Sequence, residues 1–169
     1  LTESLIGSGA LGQNSTISVN SDLTFRTVSG LGSLILARRE FATWGNTPIS
    51  REIESLLARD EQTAMPWTSS IVFDNRLLVT AAPSVHALGV YFRALAVMNL
   101  DPLSTLRGKA PSVYDALQWA GLNVLQLLTG SFARVQRAFA FTVNTISGEI
   151  ELYEILKSPV AGQRQVVRR

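Results

Sequence analysis

His86 is the residue through which most catalytic arrangements in this chain would have to pass. The sequence contains one His and no Cys, whereas a Ser-His-Asp triad or an imidazole zinc site needs a histidine. No H-x-x-x-H pair and no G-x-S-x-G segment accompanies it. Disulfides, thiolate metal sites and Cys nucleophiles are excluded as well. We interpret His86 as a loop or half-buried histidine, and we predict no catalytic, cofactor-binding or metal-ligating residue.

The segment 7–12 matches the letters G-x-G-x-x-G of a dinucleotide-binding turn. That turn works when a strand precedes it and a helix begins at its end, so that the helix N-terminus meets pyrophosphate. Here Gln13, Asn14 and Ser15 follow, then a β pattern, and no acidic residue stands about 20 positions further on. We therefore predict that residues 1–15 form a loop and bind no nucleotide.

The thirteen carboxylates could contain the acid/base pair of a glycosidase. The carboxylates named below have a structural interpretation instead. Two lie on the solvent side of a predicted helix, two lie in predicted turns, and three lie on the last predicted strand, where alternation places Glu149 and Glu151 outside. In that order, these residues are Glu52 and Glu54, Asp22 and Asp74, and Glu149, Glu151 and Glu154.

Two groups of arginines could contact phosphate. Arg134 and Arg137 lie between Phe132 and Phe139, and residues 163–169 form a polar basic tail with Arg164, Arg168 and Arg169. Because the net charge is only +2, solvated charge or salt bridges between subunits are the favoured interpretation. The tryptophans are predicted to pack under loops, with a carbohydrate or partner anchor as the alternative; they are Trp44, Trp67 and Trp119.

Composition predicts a protein with a partner surface. Hydrophobic residues make up 46% and charged residues 17% of the 169 residues, and the mean hydropathy is +0.20. One small domain does not easily hide that much apolar surface, so we expect an obligate partner. The most apolar stretch, 81–100, contains Pro83, His86 and Arg93, which argues against a membrane span. The terminal residues suggest a segment of a longer chain or processed ends.

The elements that would position these residues are mostly strands. Short apolar runs separated by Asn, Asp, Ser and Gly predict hairpins, because these residues suit turns. The predicted strands are 16–19, 23–28, 33–37, 70–73, 77–81, 90–98, 115–120, 123–128, 136–143 and 149–156. In the first hairpin, Leu23 and Phe25 are expected to face Ile17 and Val19 across the turn. The return strand of 70–81 is apolar on both faces and is expected to be covered on both sides. Asp101-Pro102 should end the 90–98 strand, and 103–111 should be a loop.

One amphipathic helix is predicted over about 47–60. Thr47 can cap it and Pro48 suits its first turn, while the apolar stripe consists of Ile49, Ile53, Leu56 and Leu57. The stretch 114–128 could also form a helix, since it lacks Pro and is rich in Leu and Ala. Gly121 and Gly130 favour strands there.

Three hairpins share one form, an apolar strand, an Asn- or Asp-bearing turn and a second apolar strand. They are 17–25, 71–79 and 139–152. Repeated four-stranded units are typical of a β-propeller. We therefore predict a mainly β chain, 1–169, with partial β-propeller-like antiparallel sheets, forming a segment of a longer propeller polypeptide.

The segments 15–26, 30–34 and 71–79 resemble a blade of the tail hub or nozzle proteins of tailed bacteriophages, which include packaged-DNA stabilisation proteins. The part from 114 to 154 is similar to the next blade. The resemblance covers most of the chain as a pattern, without a short invariant motif. It implies a structural virion protein without catalytic residues, assembled in the host cytoplasm into a homo-oligomeric ring of the tail. Its implied partners are portal or adaptor and other tail proteins, with non-specific contact with packaged DNA. The alternative is a glycan-binding or glycan-hydrolysing β-propeller protein.

Overall fold

The computed structural model describes residues 10–19, 21–35, 49–50, 53–87, 89–100, 113–118 and 123–156. The chain is mainly β, with two antiparallel sheets. Among the described residues, the helical segments with defined bounds are short: α1 (Glu54–Leu57) and two 3₁₀ turns, Gln13–Ser15 and Met65–Trp67. Residues 34–35, directly after the third strand, are helical as well. The strands are β1 (Ile17–Val19), β2 (Asp22–Arg26), β3 (Leu31–Ser33), β4 (Ser70–Phe73), β5 (Arg76–His86), β6 (Gly89–Asn99), β7 (Val113–Gln118), β8 (Val124–Phe132), β9 (Val135–Val143) and β10 (Ile150–Ile155).

The sheets form three layers, which we call the first, middle and outer layers. The first layer is the sheet β1-β2-β3, with all neighbours antiparallel. In the second sheet, β4, β5, β6 and β7 pair in sequence and form the middle layer. The outer layer is the meander β8-β9-β10. Among the described residues, its strand pairing with the middle layer is the pair Phe92 and Val124.

The middle layer is covered on both faces, as its apolar return strand predicted. Leu77 and Val79 point towards the first layer and pack with Val19 and Leu31. Leu78, on the opposite face of β5, packs in a second core with side chains of the outer layer. Because side chains alternate along a strand, one continuous apolar run serves two cores.

The turns between strands have the left-handed backbone that their residues tolerate. Asp74 and Asn75, between β4 and β5, both have positive φ, which matches the right-handed twist of a two-residue hairpin. Gly148 also has positive φ, and Asn144 N–H donates to the carbonyl of Glu149 at 2.9 Å, closing the β9–β10 hairpin. These hairpins confirm the turn predictions at both positions.

The predicted helix over 47–60 is not confirmed. Residues 47–48 and 51–52 lie outside the described residues, and α1 spans only Glu54–Leu57. Ile49 N–H donates to the carbonyl of Leu31 at 2.7 Å, and Leu31 N–H donates to Ser50 Oγ at 2.9 Å. The hydrogen bonds of residues 49–50 therefore go to the edge of the first layer. The predicted apolar stripe still faces a core, since Leu57 is buried there and Ile49 and Ile53 pack against it.

Several other predictions need correction. The third strand is Leu31–Ser33 instead of 33–37, and residues 36–37 lie outside the described part of the chain. Ile17 pairs with Thr24 and Ser18 with Leu23. Paired residues share a face, so Leu23 and Phe25 lie on the face opposite Ile17 and Val19.

The stretch 114–128 forms strands where it is described, because all its described residues except Asn123 belong to β7 and β8. The predicted strand 123–128 is longer than expected, because β8 continues through Gly130 and Ser131 to Phe132. The 90–98 strand is confirmed as β6. Three predicted features, the break at 101–102, the loop 103–111 and the tail 163–169, lie outside the described residues. None of the helical segments that are described has the length and apolar character needed to cross a bilayer.

Candidate interaction face

The outer layer has one face in the core and one face turned away from it, and the strand register assigns each side chain. Ala140 on β9 pairs with Leu127 on β8 and with Tyr153 on β10. All three are buried against the middle layer. The neighbouring Phe139 and Phe141 therefore lie on the opposite face, which we call the outer face. The core takes the small residues of β9 because the middle layer already fills that space with leucines and valines.

The outer face carries a stripe of large apolar side chains. Phe132 and Val135 form one end, with exposures of 52% and 54%. Leu152 and Ile150 on β10 form the other end, and Ile150 is 67% exposed. Between the two ends lie half-buried Phe139, whose ring meets that of Phe132 edge-on at 5.1 Å, and exposed Phe141. A contiguous exposed apolar patch of this kind is typical of an interaction site.

Polar groups border this stripe. Arg137 Nη1 donates to Glu154 Oε2 at 3.1 Å, and both side chains are partly exposed. Arg134 lies in the β8–β9 turn, at the Phe132 end. Glu149 lies at the opposite end, beside Ile150, and its Oε2 accepts a hydrogen bond from Ser147 Oγ at 3.1 Å. An apolar centre with a polar rim is the arrangement found in protein–protein interfaces.

Arg134 and Arg137, for which solvated charge or salt bridges were favoured over phosphate contact, both lie at this surface, and Arg137 pairs with Glu154 of the same chain. The arginines of the tail lie outside the described residues, as do Trp44 and Trp119. Trp67 lies in the Met65–Trp67 turn and is 65% exposed, so it does not pack under a loop as predicted.

In the dinucleotide-like segment 7–12, residues 7–9 lie outside the described part of the chain. Gly12, the last residue of the segment, packs closely against the backbone of Pro66. A Cβ at Gly12 would lie 2.3 Å from the carbonyl oxygen of Pro66. The three-residue 3₁₀ turn Gln13–Ser15 and then β1 follow. A phosphate site needs a longer helix beginning there, so Gly12 is explained by close backbone packing.

His86 lies at the tip of the β5–β6 hairpin and is exposed. Its ring centroid is 6.3 Å from that of Tyr91. Arg93 Nη2 donates to Tyr91 Oη at 3.3 Å and its guanidinium lies 5.8 Å from the Tyr91 ring centroid. Hydrogen bonds from Ser84 and from Arg93 lower the pKa of Tyr91. This is a small aromatic–cation cluster at a hairpin tip, and His86 is a surface residue of it.

Several of the described carboxylates have structural partners. Asp22 Oδ1 accepts hydrogen bonds from the N–H groups of Leu23 and Ile35, at 2.7 Å and 3.0 Å, and Asp74 lies 3.5 Å from Arg76. Glu151 was predicted to point outside. It instead lies on the core face of β10, where Tyr153 Oη donates to it. Across the described ranges, no group of three or more His, Cys, Asp or Glu side chains could hold a metal ion.

A cleft of about 390 Å³ opens between the middle and outer layers. It lies beside the β4–β5 turn and is lined by Val72, Phe73, Asp74, Thr129, Gln136 and Leu156. Its polar groups come from three different elements, and Phe73 contributes an aromatic surface. Asp74 is the one carboxylate among these described residues, so they do not supply the facing pair that glycoside hydrolysis requires.

A buried ion pair that the sequence did not predict joins the first and middle layers. Arg26 on β2 is fully buried, and its Nη2 donates to Asp60 Oδ2 at 3.2 Å and to the carbonyl of Leu57 at 2.7 Å. Its Nη1 donates to the carbonyls of Thr27 and Gly30 at 2.7 Å and 3.1 Å. The only available signal was an Arg in an apolar β pattern, which does not reveal a partner 34 residues away.

Asp60 also holds an irregularity in β5. Ala82 interrupts the pairing between Ala81 and Pro83 and has a φ of 54°. Its N–H donates to Asp60 Oδ1 at 3.0 Å. One carboxylate therefore accepts hydrogen bonds from β2 and from the unpaired residue Ala82 of β5. Burial raises the pKa of Asp60, while Arg26 and the Ala82 N–H partly oppose this shift.

We expect the ionisation of Asp60 to make the free energy of unfolding depend on pH. Its folded-state pKa lies above the ordinary value of 3.8, so between these two values the folded chain binds more protons than the unfolded chain. The contribution of Asp60 ionisation to the free energy of unfolding is therefore highest below about pH 4 and falls as the pH rises through the folded pKa.

The measurement is urea unfolding of the wild type and of Asp60→Asn, from about pH 3 to about pH 7. Asn cannot titrate, so subtraction isolates Asp60 from the other carboxylates. The free energy of unfolding of the wild type minus that of the variant should decrease as the pH rises. An increase over this range would show that the carboxylate is held below its ordinary pKa, contrary to this prediction.

Comparisons of the chain with protein-family models, curated proteins and solved structures found no match.

Proposed function

We propose that this chain is a structural, non-enzymatic virion protein, a ring-forming component of a bacteriophage tail hub or nozzle. In this role it lines or closes the DNA channel beside portal, adaptor or other tail proteins. The observation that carries the proposal is the apolar outer face, from Phe132 to Ile150. A surface of this kind suits a subunit that is buried in a permanent assembly.

The stacking of the layers supports a propeller-like subunit. Blades of a propeller pack face to face, with the first strand of each blade nearest the axis. Here β1 contacts β4 and β4 contacts β8, and these are the first strands of their layers. Ser70 Oγ donates to the carbonyl of Ser15 at 3.2 Å, and Ser69 Oγ accepts from Leu127 N–H at 3.1 Å. Both serines are buried and join consecutive layers near this inner edge.

In the proposed blades, the hairpins that correspond to one another differ from those predicted from the sequence. The first hairpins of the layers turn at Ser21, at Asp74–Asn75 and at Ala133–Arg134, and all of these residues have positive φ. The third sequence hairpin, 139–152, is instead the second hairpin of its layer. In the proposed blades, the equivalent hairpin of the outer layer is β8–β9.

Electron microscopy tests the proposal. The purified protein should form rings with a central channel, and an antibody against the chain should label the tails of virions that carry it. An antibody that labels no virion, or that labels the capsid alone, would count decisively against a tail component.

A glycan-binding propeller is the second candidate, and the cleft beside Asp74 favours it. An aromatic ring next to amide, hydroxyl and carboxylate groups is a common arrangement for a small polar ligand. Glycan-array binding that Gln136→Ala abolishes, with unchanged unfolding, would support this candidate. Absence of binding across the array would leave the structural role.

A further inference from the structure

The outer face has opposite charges at its two ends. Arg134, in the β8–β9 turn, lies at the end formed by Phe132 and Val135. Glu149 directly precedes Ile150, at the other end of the apolar stripe. Both charged residues are exposed. The nine residues of β9 lie between them and span about 26 Å, so the two charges do not neutralise each other within one copy.

Both charges are accessible to a second molecule. Within the described ranges, the Arg134 side chain makes no ion pair and no hydrogen bond. Glu149 Oε2 accepts one hydrogen bond, from the exposed Ser147, and its Oε1 accepts none from the described residues. Arg137, in contrast, is already paired with Glu154 of the same chain. Arg134 and Glu149 are therefore the charges of this surface that a partner can pair with.

The stripe between these two charges presents a continuous apolar surface. Its substantially exposed side chains are Phe132, Val135, Phe141, Leu152 and Ile150. Ile146, in the β9–β10 turn at the Glu149 end, is 97% exposed. An apolar stripe with a positive and a negative end is complementary to a copy of itself that is turned end for end.

A two-fold axis that crosses the stripe at right angles near Phe139 and Phe141 produces this arrangement. Each Arg134 then faces Glu149 of the other copy, which gives two equivalent ion pairs, and the apolar stripes overlap along their length. A two-fold axis along the stripe would also overlap the apolar side chains. It would, however, set Arg134 against Arg134 and Glu149 against Glu149, so charge selects the end-for-end arrangement.

The direction of the stripe fits the packing of one sheet on another. The stripe runs obliquely across the strands, from the β8–β9 turn at one end to β10 at the other. Two stripes that overlap end for end therefore cross their strands at a shallow angle. Aligned sheets in proteins pack face to face within about 30° of each other.

We infer that the outer face binds a second copy of this chain in a two-fold symmetric dimer. The two stripes pack end for end, and Arg134 of each copy pairs with Glu149 of the other. This inference goes beyond the proposed function, because it names what covers the outer face. A symmetric pair closes on itself, so a tail ring built from such dimers needs a second contact elsewhere on the chain.

Light scattering coupled to size exclusion tests the stoichiometry on the full chain. The mass should be twice 18.4 kDa. Ile150→Lys should weaken dimerisation by about 30-fold or more, because it places a charge in the apolar contact. Val85→Lys is the matched control, since Val85 is 61% exposed near the tip of the β5–β6 hairpin, and it should leave the dimer intact. Circular dichroism checks that both variants fold. A monomer at every concentration, or equal weakening by both variants, would overturn the inference.

Charge reversal tests which residues meet across the dimer. Arg134→Glu and Glu149→Arg should each weaken dimerisation by about 10-fold, because each places like charges at both contacts. An equimolar mixture of the two variants should restore the dimer, since a mixed dimer contains two pairs of opposite charge. The chain carrying both substitutions should dimerise like the wild type. Unchanged dimerisation of the single variants, or no recovery in the mixture, would contradict the pairing of Arg134 with Glu149.

Disulfide trapping tests the orientation independently. The chain has no Cys, so single substitutions give an unambiguous cross-link. A mixture of Val135→Cys and Ile150→Cys chains should form mixed disulfide dimers under mild oxidation, and Ile150→Cys alone should form few. Preferential cross-linking of Ile150→Cys with itself would show that like ends of the stripe meet, and it would overturn the inference.

The outcomes separate this inference from the proposed function. A dimer with the expected response to charge reversal, whose antibody labels no virion, would keep the inference and overturn the tail role. A monomer by light scattering whose antibody labels phage tails would overturn the inference and keep the tail role.

Discussion

Replacing Asp60 with Ala is expected to lower the free energy of unfolding by about 3–5 kcal/mol, the cost of leaving one member of a buried ion pair alone. Arg26 is fully buried, and in the variant its guanidinium faces three backbone carbonyls without an anion. The Ala82 N–H, at the irregular position of β5, loses its acceptor as well. The substitution therefore disturbs β2, the end of α1 and β5 together.

Urea unfolding followed by circular dichroism measures this effect, and Arg76→Ala is its control. Arg76 also pairs with an aspartate, Asp74 at 3.5 Å, but both side chains are largely exposed. An exposed pair contributes about 0.2–1 kcal/mol, so the control should remain close to the wild type. Equal losses in the two variants would mean that Arg26 and Asp60 contribute no more than a surface pair.

Leu78→Ala is expected to cost about 2–5 kcal/mol, the range for truncating a fully buried leucine. Leu78 has no exposed surface and packs in the core between the middle and outer layers. Among the described residues, the backbone of the outer layer is joined to the middle layer at few points: the strand pair Phe92 and Val124 and the hydrogen bonds between Ser69 and Leu127. Side-chain packing therefore holds these layers together, and a cavity there weakens their main contact.

The same unfolding experiment measures this loss, with Val85→Ala as the control. Val85 is apolar and lies on the same strand, but it is 61% exposed, so its truncation should change stability by less than about 0.5 kcal/mol. A loss below about 1 kcal/mol for Leu78→Ala would indicate that the layers do not form one packed unit.

Local patterns were sufficient to predict many strands and turns. Asp74–Asn75 and Gly148 adopt the left-handed backbone expected of turn residues. The apolar run of β5 was expected to be covered on both faces, and it is. In each case the preference is contained within a few neighbouring residues, so no knowledge of distant contacts was required.

The amphipathic helix fails as a prediction for a physical reason. The apolar stripe is real, since Leu57 is buried and Ile49 and Ile53 contact the same core. The backbone at 49–50, however, makes its hydrogen bonds with Leu31, from a strand about 19 residues earlier. A stripe specifies which side chains face the core, but tertiary hydrogen bonds select the backbone conformation.

The sequence could not predict which side of β9 forms the exposed outer face. Phe139 and Phe141 alternate with Ala138 and Ala140, and hydrophobicity alone favours burying the phenylalanines. The composition indicated excess apolar surface without indicating its position. Only the shape of the facing layer decides which side of β9 fits.

For the candidate functional residues too, the sequence determined one part and the tertiary structure decided another. The residue types alone excluded thiolate chemistry, since there is no cysteine, and the context of Gly12 argued against a nucleotide site. Apolar runs and turn residues, which are local features, located many strands and turns, but they did not give the correct facing of the first hairpin. The tertiary structure decided that His86 lies at a hairpin tip, that Arg26 reaches Asp60, and that Phe132 and Ile150 belong to one exposed face. Each of these depends on contacts between residues far apart in the chain, whose geometry no local pattern contains.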